Sequence, residues 1–282
     1  MEIQGAAIKR KEGDTMRHKG EWLFGAAGAY LLAIMPQRKR RARKLKGIFY
    51  AHRGLHDPEK GVPENSMAAF AAAVEKGYGI ELDVQLTKDR IPVVFHDFSL
   101  KRVCSAEGRV KDYTFEELQQ FAIAGTKQRI PRFADVLRLV DGAVPLLVEL
   151  KCPDLGCDVC RYADQELQKY NGSYTIESFS PLALLWYRLH RPEVLRGQLA
   201  MNYQRQEGHY GPERVASRHL LYNFFSKPDF IAYDIRDRRA LSKTICRNLF
   251  HCPCAAWTVR SAAQLKQVQP YYDCFIFEGF CP

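Results

Sequence analysis

From residue 47 onward, short apolar runs rich in β-branched and aromatic residues alternate with stretches whose apolar positions recur every three or four residues. These are the periods of strands and of amphipathic helices respectively. The runs predict strands over residues 48–52, 80–86, 93–96, 145–150, 174–178, 196–200, 230–233, 254–258 and 274–277. Helical spacing falls between them, at 67–76, 115–120, 132–140, 162–170, 181–190, 212–221, 239–248 and 262–268. Roughly eight strand–helix units in this length predict an α/β fold of the (β/α)8 TIM-barrel type, with 93–96 as an extra short strand. The domain reading is a hydrophobic segment and basic linker over 1–46, followed by a barrel domain over 47–282. No internal repeat or low-complexity tract interrupts it.

A barrel of this type collects its chemistry at the C-terminal ends of its strands. The sequence puts polar residues there: His52 and Arg53 after the first strand, Glu81 and Asp83 on the second, His96 after the extra strand, and Glu149 and Lys151 after the next. Ser178-Phe179, Asp234, Trp257 and Glu278 hold equivalent places later. Glu81 and Asp83 stand two residues apart on one strand, so their side chains leave the same face and converge on one cation. An inward carboxylate pair without counter-charge is costly, so a metal is the economical explanation, with Glu149 as a third oxygen ligand. Such oxygen ligands suit one divalent Mg2+ or Ca2+. The alternative is a buried ionic network of the carboxylates with Arg53 and Lys151.

His52 and His96 are read as an acid/base pair, one activating an attacking oxygen and the other protonating a leaving alcohol. Arg53 and Lys151 then neutralise the charge that grows on a phosphate. Pro63-Glu64-Asn65-Ser66 precedes the helical run at 67–76, so Asn65 or Ser66 is expected to cap it. Glu64 and Asn65 are further candidates for orienting Arg53 or the metal ligands. Trp257 is a candidate apolar wall beside a glycerol unit.

At 282 residues, 46% hydrophobic and 26% charged, the chain fills a large core and is not disordered. Its net charge of +10 would suggest nucleic acid, but seven of the positives are Arg38, Lys39, Arg40, Arg41, Arg43, Lys44 and Lys46, leaving about +3 elsewhere. That is a local patch, and nucleic acid is excluded as a partner. The patch follows an uncharged segment at 22–35, which as a helix would span roughly 21 Å against a hydrocarbon core of about 30 Å. A cleaved signal peptide fits poorly, because basic residues follow at once and 34–36 lack small residues. The expectation is membrane association through residues 22–46, by an uncleaved anchor or an interfacial helix, with the catalytic domain cytoplasmic because Lys and Arg are richer after the segment. The alternative is a surface helix packed on a soluble cytoplasmic protein. The nine cysteines are odd in number and scattered. Cys157-x-x-Cys160 with Cys252-x-Cys254 lacks the paired knuckles of a usual zinc site, so reduced thiols are the expectation.

His52-Arg53-Gly54, Pro63-Glu64-Asn65-Ser66, Glu81-Leu82-Asp83-Val84, Val94-Phe95-His96-Asp97, Glu149-Leu150-Lys151, Ser178-Phe179 and Trp257-Thr258-Val259 together resemble, in that order, the glycerophosphodiester phosphodiesterase family over residues 48–282. The resemblance implies a metal-dependent barrel that hydrolyses glycerophosphodiesters to glycerol 3-phosphate and an alcohol. It implies Glu81, Asp83 and Glu149 as metal ligands, His52 and His96 as the acid/base pair, and Arg53 and Lys151 as phosphate contacts. The chain departs from the family pattern at Phe277-Glu278-Gly279-Phe280, where a Thr-Asp usually precedes an aromatic-Pro pair; that departure leaves substrate preference open. About 35 residues separate His96 from Arg132, little room for a large domain over the site. The leaving group is therefore either unrestricted or a lipid chain at the membrane. A small-molecule diester is the favoured substrate, a lysophospholipase D-like or phospholipase C-like action on lipid phosphodiesters is the alternative, and an inactive membrane-tethered module is disfavoured because all five proton-transfer and metal positions keep competent residues.

Overall fold

Nine strands form one sheet: β1 (Phe49–Ala51), β2 (Gly79–Leu86), β3 (Pro92–Val94), β4 (Leu146–Leu150), β5 (Tyr174–Ser178), β6 (Arg196–Ala200), β7 (Phe230–Asp234), β8 (Cys254–Val259) and β9 (Cys274–Phe277). The structure is a computed structural model and describes residues 22, 24–37, 40–153, 155–204, 208 and 211–282. Eight strands run parallel, and β1 pairs with both β2 and β9, which closes the sheet into a barrel. β3 is the exception, folding back antiparallel on β2. The helices at Met67–Glu75, Phe133–Val140, Asp158–Leu167, Pro181–His190, Leu241–Asn248 and Ala262–Val268 return the chain between strands. This is the TIM barrel that the hydrophobic pattern predicts.

Strand periodicity divides the apolar residues into two layers. Tyr50, Leu147, Leu199, Phe230, Ala255 and Ile276 fill the barrel interior, while Ala51, Leu146, Val148, Ile231 and Phe277 face the surrounding helices. The next inward positions after Tyr50, Leu147 and Ile276 are polar: His52, Glu149 and Glu278. The interior is thus apolar towards one end and carries the candidate site at the other. The helix expected at 162–170 starts earlier, at Asp158, because Val159 and Cys160 join Ala163 and Leu167 on its buried face.

The described end of the segment expected as a linker is packed against the barrel. Ala42 and Leu45 of the 3-10 helix Arg40–Leu45 are buried, and Leu45 joins the interior cluster. Residues 24–34 are helical, and the end of that helix is tied down by the barrel's own side chains. Asn223 Nδ2 donates to Ile34 O at 2.8 Å, Lys227 Nζ to Met35 O at 3.0 Å, and Arg196 Nη2 to Gln37 Oε1 at 2.8 Å. The first two bonds satisfy backbone carbonyls that a helix end otherwise leaves open. No helix among the described residues is long and apolar enough to cross a membrane. Residues 1–21, 23, 38 and 39, on which part of the charge-asymmetry argument rests, lie outside the described residues.

Candidate active site

Glu81 and Asp83 project from the inward face of β2, and Glu149 from β4, where it lies in register with Asp83. All three are buried, and one carboxylate oxygen from each lies within 4.8 Å of the others. β5 adds a fourth acid, Glu177, in register with Glu149 and equally buried. Burial and mutual repulsion push the Glu81 and Glu177 carboxyls well above the usual range. Burial pushes Asp83 up too, but Lys151, His96 and Arg53 outweigh it and hold that carboxyl well below its ordinary value.

Two cations reach this cluster. Lys151 Nζ lies 2.8 Å from Glu149 Oε1 and 3.0 Å from Asp83 Oδ1. Arg53 Nε is 3.7 Å from Asp83 Oδ2, but its guanidinium is shared with Glu64, at 2.8 Å from Nη1. The ionic network weighed as an alternative therefore exists, yet two cations face four buried acids. Glu177 Oε2 has no hydrogen-bond partner among the described residues. An all-oxygen donor set with surplus negative charge and an orphaned carboxylate oxygen fits a divalent cation of the Mg2+ or Ca2+ type.

The turn after β1 is shaped for this cluster. Arg53 adopts a left-handed φ of 56° and Asn65 one of 52°, conformations that cost a non-glycine residue of the order of 1 kcal/mol or more. In return the Arg53 N–H donates to Glu81 Oε2 at 2.9 Å, and Asn65 Nδ2 donates to Asp83 Oδ2 at 2.8 Å. Gly54 must be glycine: a Cβ there would meet the Ala69 backbone at 2.9 Å. Ser66, not Asn65, caps the helix Met67–Glu75, its Oγ accepting from Ala69 N at 3.2 Å. Asn65 is thereby free to serve the acids.

His52 leaves β1 towards the same cluster, with Nε2 4.0 Å from Glu81 Oε2. Its Nδ1 is hydrogen-bonded to Glu278, which also binds Arg260 at 2.6 Å. Burial, only partly countered by Glu278, pushes the imidazole down to about 4, so it is neutral at neutral pH. His96 follows β3, with Nδ1 2.6 Å from Asp97 Oδ1. Arg102 ties the two loops together, Nε to Asp97 Oδ2 at 2.6 Å and Nη2 to Glu64 Oε1 at 2.7 Å. Gln85 Nε2 holds the His96 loop from below, 2.7 Å from Phe95 O and 2.8 Å from Asp97 O. Trp257 lies on β8 against Phe179, ring centroids 5.6 Å apart, and its buried Nε1 has no partner among the described residues.

The residues that the sequence singles out therefore fall at one mouth of the barrel. Asp234 is turned to another task, capping the 3-10 helix that follows and pairing with Arg236 at 2.7 Å. Sequence reasoning misses Glu177, Arg102 and Gln85. Inward parity on β5 and β2 would have marked Glu177 and Gln85, whereas nothing local marks Arg102.

Residues 52–229 match the Glycerophosphoryl diester phosphodiesterase family. Over 104 residues the chain is 46% identical to the glycerophosphodiester phosphodiesterase of Caldanaerobacter subterraneus, covering 34% of this chain and 41% of that relative. It is 39% identical over 87 residues to glycerophosphodiester phosphodiesterase 1 of Homo sapiens, covering 30% of this chain and 25% of that one. The matched stretch thus spans about two fifths of the length of the bacterial relatives. Among solved structures, an Oleispira antarctica phosphodiesterase in complex with the product sn-glycerol-3-phosphate aligns with a TM-score of 0.67 at 22% identity, covering 84% of this chain and 94% of that one. A Thermotoga maritima glycerophosphodiester phosphodiesterase aligns at 0.61 and 23% identity, covering 82% and 93%. Both share the fold.

Proposed function

Since the chain belongs to the glycerophosphoryl diester phosphodiesterase family, we propose that it hydrolyses glycerophosphodiesters to glycerol 3-phosphate and an alcohol, in a catalytic domain spanning 47–282. The carrying observation is the gathering of Glu81, Asp83 and Glu149 with Lys151, Arg53 and the Nε2 edge of His52 at one barrel mouth.

Glu81, Asp83 and Glu149 hold one divalent cation, Mg2+ or Ca2+, with Glu177 beside them. When bound, such an ion neutralises and polarises the phosphoryl oxygens. The chain's own groups do the rest. With Nδ1–H donated to Glu278, His52 is left with a lone pair on Nε2, which takes the proton from the attacking oxygen. The new P–O bond forms as the bond to the alcohol breaks, and His96, held by Asp97, gives its proton to the departing oxygen. Arg53 and Lys151 counter the phosphate charge that grows in between. Glu64 and Asn65 act as positioning residues, through Arg53 and Asp83 respectively. Trp257 lies against the glycerol unit, with Nε1 as an available donor.

Ile34, Ala42 and Leu45 are buried against the barrel, and the exposed Trp22, Phe24 and Leu32 support peripheral contact with a bilayer surface. Flotation with anionic vesicles tests that contact; it is discarded if the protein stays with the soluble fraction. The function is tested by the release of glycerol 3-phosphate from glycerophosphocholine. The wild type should release it and Glu81→Gln should not; equal activity of the two proteins refutes the reading.

A further inference from the structure

A cavity of about 310 Å3 opens beside the proposed metal cluster. Gln85 and Lys151 line it, and each follows a metal-cluster acid by two residues on an inward strand face, Asp83 on β2 and Glu149 on β4. The walls beyond them are basic. Lys88, Arg90, Arg109 and Lys111 all contribute, against one acid among the described residues, Asp158. Asp158 is already bound by Arg90, and Arg109 shares Asp112 at 3.5 Å. Phe98 adds a half-exposed apolar face.

Two features place this cavity on the leaving-group side. Gln85 holds the carbonyls of the loop that carries His96, the residue assigned to protonate the departing oxygen. Phe98 follows directly on His96 and Asp97. Trp257, assigned to the glycerol unit, stands on β8, which lies opposite β4 in the closed ring of eight parallel strands. A diester whose phosphate sits at Arg53 and Lys151 thus has its glycerol towards β8 and its alcohol towards the basic cavity.

We propose that this cavity is a leaving-alcohol subsite selective for alcohols that carry their own phosphate, so that the preferred substrate is a glycerophosphodiester with a second, anionic phosphoryl group. A cationic alcohol such as choline would meet a wall of like charge, whereas a phosphate would meet Lys88, Arg109 and Lys111. The inference rests on the hydrolase reading above.

The test compares glycerophosphoinositol with glycerophosphoinositol 4-phosphate, two diesters that differ only in the added phosphate. In the wild-type full chain at low ionic strength, kcat/KM should be at least about tenfold higher for the 4-phosphate, and the ratio should shrink as salt is raised. The Lys88→Gln/Lys111→Gln double variant should lower that ratio to about threefold or less, and Lys88→Glu should lower it as well. A wild-type ratio at or below one, or a ratio indifferent to salt and to both variants while the proteins melt like the wild type, overturns the subsite. Cleavage of neither diester, nor of glycerophosphocholine, overturns the hydrolase reading itself.

Discussion

Glu278 accepts a hydrogen bond from Nδ1 of His52, joining the last strand of the barrel to the first. β9 and β1 are neighbours only because the sheet closes, so the orientation of the imidazole depends on barrel closure. Arg260 holds the same carboxylate from the β8 side. The residue at which the chain departs from its family's usual pattern is therefore the one that sets the tautomer of His52.

Glu278→Gln keeps the shape of the side chain but weakens its hold on the imidazole. Turnover of glycerophosphocholine should fall about 10- to 100-fold, the usual cost of losing an orienting partner, with KM changed much less. Steady-state kinetics check it; a fall in KM-dependent terms alone would contradict the orienting role.

The same carboxylate carries a pH signature. Burial would raise it, but the His52 hydrogen bond and the Arg260 charge push it down to about 2 from its ordinary 4.5. Because the folded value is depressed, the stabilisation is complete above about pH 4.5 and is lost as pH falls towards 2. The stability difference between wild type and Glu278→Gln should shrink over that window, by at most about 3 kcal/mol. Denaturant unfolding at pH 6 and pH 3 measures it, and a pH-independent difference would show that the carboxylate is not held as described.

His96→Ala should reduce turnover at least about a hundredfold, since it removes the proposed acid. Arg102→Ala should act through it more mildly, because Arg102 grips both Asp97 and Glu64. Addition of imidazole should restore part of the His96→Ala activity and none of the Arg102→Ala activity. Near-normal turnover of His96→Ala removes it from the mechanism.

The acid cluster should bind a cation without any substrate present. Saturating Mg2+ or Ca2+ should raise the melting temperature of the metal-stripped wild type, with a stabilisation of about 2.7 kcal/mol at a hundred times the dissociation constant. Asp83→Asn/Glu149→Gln should lose that response. Glu177→Gln should weaken it, because Glu177 Oε2 has no hydrogen-bond partner among the described residues. A shift of equal size in the double variant would place the cation elsewhere.

Much of this arrangement was legible in the sequence because strand parity is a local property. Once Glu81 and Asp83 were placed on one strand, their common face followed, and β5, β6 and β9 begin and end where the apolar runs do. The rest depends on contacts between distant segments. Glu278 could be flagged as a strand-end polar residue and as a departure, but its pairing with His52 could not, since that partner lies 226 residues away. Arg102 sits on the single helical turn Lys101–Cys104, too short to carry a periodic signal, and its two bonds to Glu64 arise only when the segments after β1 and β3 meet. The uncharged segment at 22–35 favours membrane association by its sequence, with a helix packed on the protein surface as the alternative. Its end is fixed by Asn223 and Lys227, which its own sequence cannot foretell.

The most direct test of the acid cluster and the histidine pair acting together on a phosphodiester is glycerol 3-phosphate release by metal-stripped protein before and after Mg2+ or Ca2+ is restored. Release should vanish on stripping, return with the cation in the wild type, and stay absent in Glu81→Gln and Asp83→Asn. Undiminished release by the metal-stripped wild type would contradict that joint action.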